Sequence, residues 1–156
     1  MQIKLLWMGK TKSSPIRYLS MDYLERIRRM VFCDVIEVRD VSRRRSLRGS
    51  DAVTAEGIEL ARHVPEHCRL VAMDEKGTQF TSLQFAQWFE SEQNRGTRLI
   101  VFVIGGPEGL SPMNLERASI TVSLGKMTWT HEMCRLLLLE QVYRALCILC
   151  KIPYHK

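Results

Sequence analysis

Two glycine-containing loops are the parts of this chain whose residue types and spacing could do chemistry. The apolar run Leu99–Ile104 ends abruptly in Gly105-Gly106-Pro107-Glu108-Gly109, and a second loop follows at Ser123–Trp129. A buried strand that ends in a glycine loop is how an α/β protein opens a ligand crevice at its strand ends. Taken alone, the first loop is more often a plain strand-to-helix turn. Together with the second loop, it predicts a small-molecule site.

Familiar nucleotide and zinc motifs are missing from these loops. The chain contains neither the G-x-G-x-x-G dinucleotide fingerprint nor a phosphate-loop GKS or GKT sequence. His131-Glu132 resembles the start of a zinc-binding H-E-x-x-H motif, but Arg135 stands where the second histidine ligand is required. The sequence therefore argues against a metalloprotease.

The remaining cysteine and histidine pairs are interpreted as structural. Cys147 and Cys150 form a single pair late in a helix, whereas redox thiols gain acidity from a helix N-terminus. His63 and His67 flank Pro65, which disrupts the helical register that could aim both at one metal ion. We therefore expect no metal cofactor.

The last helix and the tail that follows it indicate a partner. The pattern is apolar almost all the way round the helix, and such a helix must be covered on more than one face. In a small chain a second subunit is the expected cover, so we predict a homodimer. The tail Pro153–Lys156 would ordinarily fray, yet it places a phenol, an imidazole and an ammonium directly after a buried helix.

Length, charge and cysteine content limit the classes to which this protein could belong. The 156 residues fit one domain, spanning 1–156. A net charge of +6 favours polyanionic partners such as nucleic acid, although so mild an excess is also common without function. Five cysteines without framework spacing suit a reducing compartment. With no secretory signal and no membrane-spanning stretch in the sequence, we expect a cytoplasmic protein with no membrane partner.

A cluster of arginines interrupts the apolar pattern between residues 39 and 50. The segment Arg39–Ser50 contains five arginines and almost no apolar residue. Guanidinium groups match phosphate oxygens well, so phosphate contact is one interpretation. A solvated surface loop is the other.

The order of predicted elements argues for an α/β fold. Ser14 is expected to cap a helix whose first residue is Pro15. Ser50-Asp51 is expected to cap the next helix, and Thr81 or Ser82 the one after it. Alternation of strands and helices predicts a mostly parallel sheet with helices on both faces. Strands are predicted at Ile3–Met8, within Val31–Val38, and at Cys68–Asp74, Leu99–Ile104 and Ile120–Leu124, with an exit loop at Glu75–Gly77 after the third.

An ordered set of short motifs, dense from Leu99 onward, resembles one protein family. That family is the ribosomal large-subunit methyltransferase H group of the SPOUT class, and the resemblance covers the full length. The motifs are Gly105–Pro112, Ser123-Leu124, Met127-Thr128, His131, Glu140-Gln141, Tyr143-Arg144-Ala145 and Pro153-Tyr154-His155.

The resemblance carries implications for fold, donor and substrate. It implies a C-terminal trefoil knot in which the last segment threads a loop, a homodimer, and S-adenosyl-L-methionine as methyl donor. The implied reaction is methylation at N3 of a pseudouridine in large-subunit (23S) ribosomal RNA, with the assembled ribosome as the expected substrate. In the dimer, the tail of one subunit is expected to complete the cofactor pocket of the other.

The family's functional positions can be carried over to this chain. His131 or His155 is expected to accept the N3 proton, since imidazole acts near neutral pH. Arg144 and Tyr154 are expected to stabilise the uracil anion or to position a phosphate. The cofactor positions fall on Met73, Gly105, Leu124, Gly125, Lys126, Met127, Thr128 and Trp129.

Two other functions stay open on the sequence. A related knotted methyltransferase that acts on transfer RNA would share the fold and the donor, and only its substrate would differ. A non-catalytic RNA-binding protein of the ribosome would bind RNA in a salt-dependent manner and bind no donor.

Overall fold

Five parallel strands form the sheet that organises the molecule. The computed structural model describes residues 1–154 and, for Arg43 and Arg44, the backbone alone. Every pairing between these strands is parallel, so their carboxyl ends meet at one edge of the sheet. The strands are β1 (Gln2–Met8), β2 (Cys33–Val38), β3 (Arg69–Gln79), β4 (Leu99–Ile104) and β5 (Ile120–Ser123), in the order β2-β1-β4-β3-β5.

Helices cover both faces of the sheet. Successive strand residues point to opposite faces, so Phe102 joins the core under α1, α4 and α6 whereas Val101 joins the core that includes α3. This arrangement confirms the predicted α/β class. The helices are α1 (Ser14–Arg28), α2 (Val41–Arg45), α3 (Gly49–His63), α4 (Ser82–Asn94), α5 (Pro112–Arg117) and α6 (His131–Leu149).

Local sequence signals located some boundaries correctly. The fourth strand, Leu99–Ile104, has the predicted bounds. Thr81 is the N-cap of α4: its hydroxyl accepts from the Gln84 amide (3.2 Å), and the Gln84 side chain accepts from the Thr81 amide (2.8 Å). This reciprocal pair is a capping box, which satisfies two amides that the helix leaves without partners.

Other boundaries were wrong for identifiable reasons. The predicted exit loop Glu75–Gly77 is part of β3, because the strand shifts register between Met73 and Thr78 and both positions pair with Val122 of β5. A Cβ on Gly77 would lie 2.7 Å from the Val122 amide nitrogen, so only glycine permits this approach. A bulge of this kind cannot be read from apolar alternation.

Two helix starts and one short helix also differ from what the sequence predicted. Helix α1 begins at Ser14 after Ser13 as N-cap, one position before the predicted start. Helix α3 begins at Gly49, ahead of the predicted cap at Ser50-Asp51. The arginine-rich segment was predicted without an element, and it contains the five-residue helix α2.

The last helix is only partly covered within one chain. Leu138, Leu139 and Val142 are buried against the sheet, α1 and α4, while Leu136 and Leu137 stay half-buried. Within residues 1–154 no helix is both long and apolar enough to cross a membrane. The C-terminal knot implied by the resemblance stays a prediction.

Candidate active site

A cavity of about 660 Å³ opens at the carboxyl edge of the sheet, between the ends of β3, β4 and β5. Its walls come from Met73–Lys76, from Ile104–Gly109, and from most of the stretch between Val122 and Cys134. The volume suits a small-molecule ligand. Both glycine-containing loops singled out in the sequence therefore border one cavity.

The first loop folds back on itself and needs glycine to do so. The Gly106 carbonyl accepts from the Gly109 amide (3.0 Å), and Gly109 has a φ of 87°. A Cβ on Gly105 would lie 2.2 Å from the Gly109 carbonyl oxygen. The turn therefore closes only if residue 105 lacks a side chain, which leaves its backbone at the cavity wall.

The second loop is held by its own side chains and by β3. The Ser123 hydroxyl donates to the Gly125 carbonyl (2.8 Å) and accepts from the Gly125 amide (3.2 Å). The Thr128 hydroxyl donates to the carboxylate of Glu75 (2.9 Å), which lies on the bulged part of β3. The bulged part of β3 thus forms one wall of the cavity and holds the second loop in place.

Three large apolar side chains, one buried and two exposed, supply apolar surface in the cavity. Met73 is 7% exposed, whereas Met127 is 73% and Trp129 40% exposed. Seven of the eight positions carried over as cofactor-binding lie in the lining, and Lys126 lies outside it. The seven are Met73, Gly105, Leu124, Gly125, Met127, Thr128 and Trp129.

The lining is acidic. Among its described residues, the lining contains three acidic residues, one lysine and one histidine: Asp74, Glu75, Glu108, Lys76 and His131. Opposite charges attract more strongly in a partly desolvated cleft than in water. The cavity therefore favours a cationic ligand over an anionic one.

The start of α6 fixes the neighbouring loop between β1 and α1. The Glu132 carboxylate accepts from the amides of Lys12 (2.8 Å) and Ser13 (3.0 Å). Burial alone would raise the pKa of Glu132, but the two amide donors, together with the charges of Arg135 and His131, outweigh burial and lower it. The ionised carboxylate therefore ties the first turn of α6 to the first strand's exit loop.

Arg135, which stands where a zinc motif would need its second histidine, has a structural role. It is fully buried, and its guanidinium donates to the Thr11 hydroxyl (3.0 Å) and to the Met8 carbonyl. The same group lies 5.3 Å from the centre of the Trp7 ring. A cation among the leucines of an apolar helix was the available signal, since a buried charge needs several polar partners.

His131 lies in the cavity wall in its neutral form. Burial lowers the pKa of His131 below its ordinary value, and the positive charge of Arg135 lowers it further. Near pH 7 the imidazole is therefore unprotonated and able to accept a proton.

A second polar cluster lies on α1, α6 and the tail. We call it the tyrosine cluster, and it consists of Tyr23, Glu140, Tyr143, Arg144 and Tyr154. The Arg144 Nε donates to Glu140 (2.9 Å), the two hydroxyls of Tyr23 and Tyr154 lie 3.0 Å apart, and Tyr154 donates to Glu140 (3.2 Å). Arg144 also lies 4.8 Å from the centre of the Tyr154 ring. The described part of the tail is therefore anchored.

These contacts fix the protonation states in the cluster. Burial and the hydrogen bond to Tyr23 raise the pKa of Tyr154, so its phenol stays protonated. The hydrogen bond to Glu140 raises the pKa of Arg144. The cluster therefore holds a neutral phenol beside a permanent cation.

The structure does not bring all the predicted catalytic residues together in one chain. Arg144 follows His131 by 13 positions on α6, which is about 20 Å along a helix. Neither Arg144 nor Tyr154 lines the cavity. His155 lies outside the described residues. Glu140 and Tyr23 were missed as functional candidates; Glu140 carried a readable signal, one turn before Arg144, and Tyr23 carried none.

Behind the first loop lies a buried carboxyl group, that of Glu56 on α3. Glu56 is 3% exposed, and a Cβ on Gly106 would lie 2.5 Å from its Oε2. The Ser42 hydroxyl is in hydrogen-bond contact with both Glu56 and Asp40. Because one hydroxyl proton cannot satisfy two carboxylates, protonation of one acid is favoured.

The pKa of Glu56 is correspondingly raised, by burial first and also by the charges of Asp40 and Glu108. Ser42 and the Gly106 amide oppose that shift without cancelling it. An acid with a raised folded pKa contributes stability below its unfolded pKa and loses it as pH rises through the folded value.

We expect Glu56→Gln to raise the free energy of unfolding at pH 8 by on the order of 1 kcal/mol. The amide imitates the protonated acid, so the gain over the unsubstituted protein shrinks as pH falls toward 4. Urea unfolding of both proteins at pH 8 and at pH 4 measures this difference in the free energy of unfolding.

Glu92→Gln is the matched control, because Glu92 is also buried (1% exposed) but pairs with Arg69 and Arg95 and accepts from the Thr97 hydroxyl. This change should destabilise the protein at pH 8. A Glu56→Gln protein that is less stable than the parent at pH 8 would contradict the assignment.

Comparison with known proteins places this geometry in a family. The family described as "Predicted SPOUT methyltransferase" matches residues 1–155. A crystal structure described as a probable methyltransferase from Bordetella pertussis superposes with a TM-score of 0.53 at 13% identity, covering 93% of this chain and 96% of that chain. At that identity the likeness shows the fold alone.

Curated relatives match over the full length. A protein of Geotalea daltonii named "Ribosomal RNA large subunit methyltransferase H" is 39% identical, covering 99% of both chains. Proteins with the same name from Porphyromonas gingivalis and Allorhizobium ampelinum are 37% and 35% identical, covering 99% and 100% of this chain and 99% of each relative. The chain therefore belongs to the SPOUT methyltransferase family.

Proposed function

We propose that this protein transfers a methyl group from S-adenosylmethionine to N3 of a pseudouridine in large-subunit ribosomal RNA, on the assembled ribosome in the cytoplasm. The observation that carries the proposal is the acidic cavity at the strand ends of a SPOUT chain. Its full-length relatives are named for methylation of large-subunit ribosomal RNA. The whole chain, 1–156, acts as one domain in this proposal.

The cavity fits the donor in size, charge and surface. S-adenosylmethionine carries a sulfonium, an ammonium and one carboxylate and is therefore net positive, and three acidic residues line the cavity. Met73, Met127 and Trp129 offer polarisable surface to the adenine ring. When bound, the donor supplies an electrophilic methyl group on its charged sulfur.

Removal of the N3 proton falls to His131 in this proposal. A neutral imide nitrogen has no free lone pair for attack, so its proton must leave during the reaction. His131 lies in the cavity wall, and burial keeps it unprotonated. General-base catalysis by a positioned imidazole contributes about 10²–10⁴-fold in rate.

The tyrosine cluster acts from a second subunit. Within one chain, Arg144 lies about 20 Å along α6 from His131, so it cannot reach the same base. A two-fold axis that sets each chain's cluster at the other chain's cavity completes both sites at once. The half-buried Leu136 and Leu137, and the exposed Tyr18 and Met21 on α1, provide apolar surface for that contact.

Arg144 and Tyr154 then stabilise the deprotonated uracil ring. Glu140 accepts from Nε and Nη2 of Arg144, which orients the guanidinium and leaves Nη1 for a new acceptor. The Tyr154 phenol stays protonated and, on turning away from Glu140, can donate to an anionic oxygen. Preorganised donors of this kind stabilise charge that develops during reaction.

Methyl transfer to ribosomes is the direct test. Methyl-labelled S-adenosylmethionine is incubated with the protein and with ribosomes that lack the modification, with transfer RNA and free ribosomal RNA in parallel. We expect label at one pseudouridine of large-subunit RNA. Label in transfer RNA alone would contradict the substrate, and no label with no donor binding would contradict the reaction.

We expect His131→Gln to reduce turnover by roughly 100-fold while donor affinity stays within a few-fold of the parent. In the parent, turnover should fall at acid pH as His131 becomes protonated, and the variant should lack this acid limb. His63→Gln, an exposed histidine on α3, is the matched control. An unchanged pH profile in the His131 variant would exclude it as the base.

Mixed dimers test the shared site. Gly105→Ala prevents the first loop from closing against Gly109, and Tyr154→Ala removes the tail's anchor, so each homodimer should be nearly inactive. Co-expressed together with different tags, they should recover about a quarter of parental activity, because half of the dimers carry one intact composite site.

Pairing Gly105→Ala with a chain that carries both substitutions is the control for this experiment. That mixture cannot form an intact site and should show no recovery. Absence of recovery in the first mixture, with heterodimers present, would contradict a site shared between subunits.

A further inference from the structure

The arginine-rich segment after β2 presents exposed cations. Arg39, Arg45 and Arg48 are all exposed. Among the side chains that the structure describes, none forms an ion pair with these three arginines. Their guanidinium groups are therefore available to an external anion.

The sheet topology sets this segment beside the cavity. Strand β2 ends at Val38 on the same edge as the cavity, and only β1 separates β2 from β4. Neighbouring strands lie about 4.8 Å apart, so the end of β2 is about 10 Å from the end of β4. The Gly9 amide donates to the Val38 carbonyl (2.7 Å), and this bond joins the chain after β1 to the end of β2.

A buried contact fixes the segment to the wall of the cavity. Ser42 at the start of α2 bonds to Glu56, and Glu56 packs against Gly106 in the first loop. The segment is therefore attached to the back of the loop whose front lines the cavity.

The loop between β1 and α1 adds two more cations on the same edge. Lys10 and Lys12 are exposed, and the Lys12 backbone is held by Glu132 next to His131. The Lys12 charge also acts on the His131 imidazole and lowers its pKa. Lys10, Lys12, Arg39, Arg45 and Arg48 together form what we call the basic rim.

We propose that the basic rim binds backbone phosphates of the RNA strand that carries the target base. The proposal rests on the proposed function and adds to it the surface that receives the substrate. Guanidinium groups recognise phosphate oxygens in paired hydrogen bonds. The acidic cavity repels phosphate and attracts a cationic donor. The rim therefore binds the RNA, and the cavity binds the donor.

Contacts of this kind position RNA without reading its sequence. The rim therefore sets affinity and orientation, and the cavity with its partner's tyrosine cluster selects the base. Loss of rim charges should weaken binding of RNA and leave donor binding intact.

The test compares two double variants of equal charge. Arg39→Gln with Arg48→Gln removes two rim charges. Arg29→Gln with Arg98→Gln removes two exposed charges from the opposite, amino edge of the sheet, where Arg29 precedes β2 and Arg98 precedes β4. Neither control residue has an ion pair among the described side chains.

Two measurements are made on each dimeric protein. The first is the KM for ribosomes that lack the modification, together with the donor Kd. The second is binding to the same ribosomes and to free large-subunit RNA between 50 and 200 mM salt, without any methyl transfer. We expect the rim variant to show a higher KM, an unchanged donor Kd, and a slope of log affinity against log salt reduced by about 2.

Equal KM and equal salt slope in the rim variant and the control variant would overturn the proposal. A similar loss in both variants would show a general charge effect and would overturn it as well. The binding measurement requires no turnover, so failure of the rim is distinguishable from failure of the proposed reaction.

Discussion

Parallel pairing of the five strands is the constraint on which the site depends. Because every strand points the same way, the exits of β1 to β5 all emerge at one edge. Chain segments far apart in sequence, such as Gly105–Gly109 and Ser123–Trp129, are thereby brought to one place. The buried Arg135 and the carboxylate of Glu132 then fix the first exit loop to the start of α6.

The same edge carries both signs of charge in separate zones. Carboxylates line the cavity, and cations occupy the exits of β1 and β2 beside it. A buried acid, Glu56, stands between the zones and supports the first loop from behind. The edge thus has distinct environments for a cationic small molecule and for a polyanion, although the net charge of +6 alone gave no such division.

Much of this architecture could be predicted because its signals are local. An apolar run fixes β4, a threonine with glutamine three positions later fixes the start of α4, and glycine clusters mark the cavity loops. The β3 bulge was missed because it depends on the pairing of Met73 and Thr78 with one residue of β5. Glu56 was missed for the same reason, because its role arises from contacts with Ser42 and Gly106, which are distant from it in sequence.

The separation of His131 from Arg144 follows from the length of α6. Family resemblance assigns both residues to one reaction, whereas 13 residues of α6 hold them about 20 Å apart.

The distribution of tryptophan gives the chain an optical consequence. Trp7 is buried against Arg135, and Trp88 stacks within the aromatic core beside Phe85. Trp129 alone among the three lines the cavity, where it is 40% exposed. Its indole emission therefore responds to whatever displaces water from the cavity, while the other two provide a steady background. The protein thus contains an intrinsic fluorophore for occupancy of its own site.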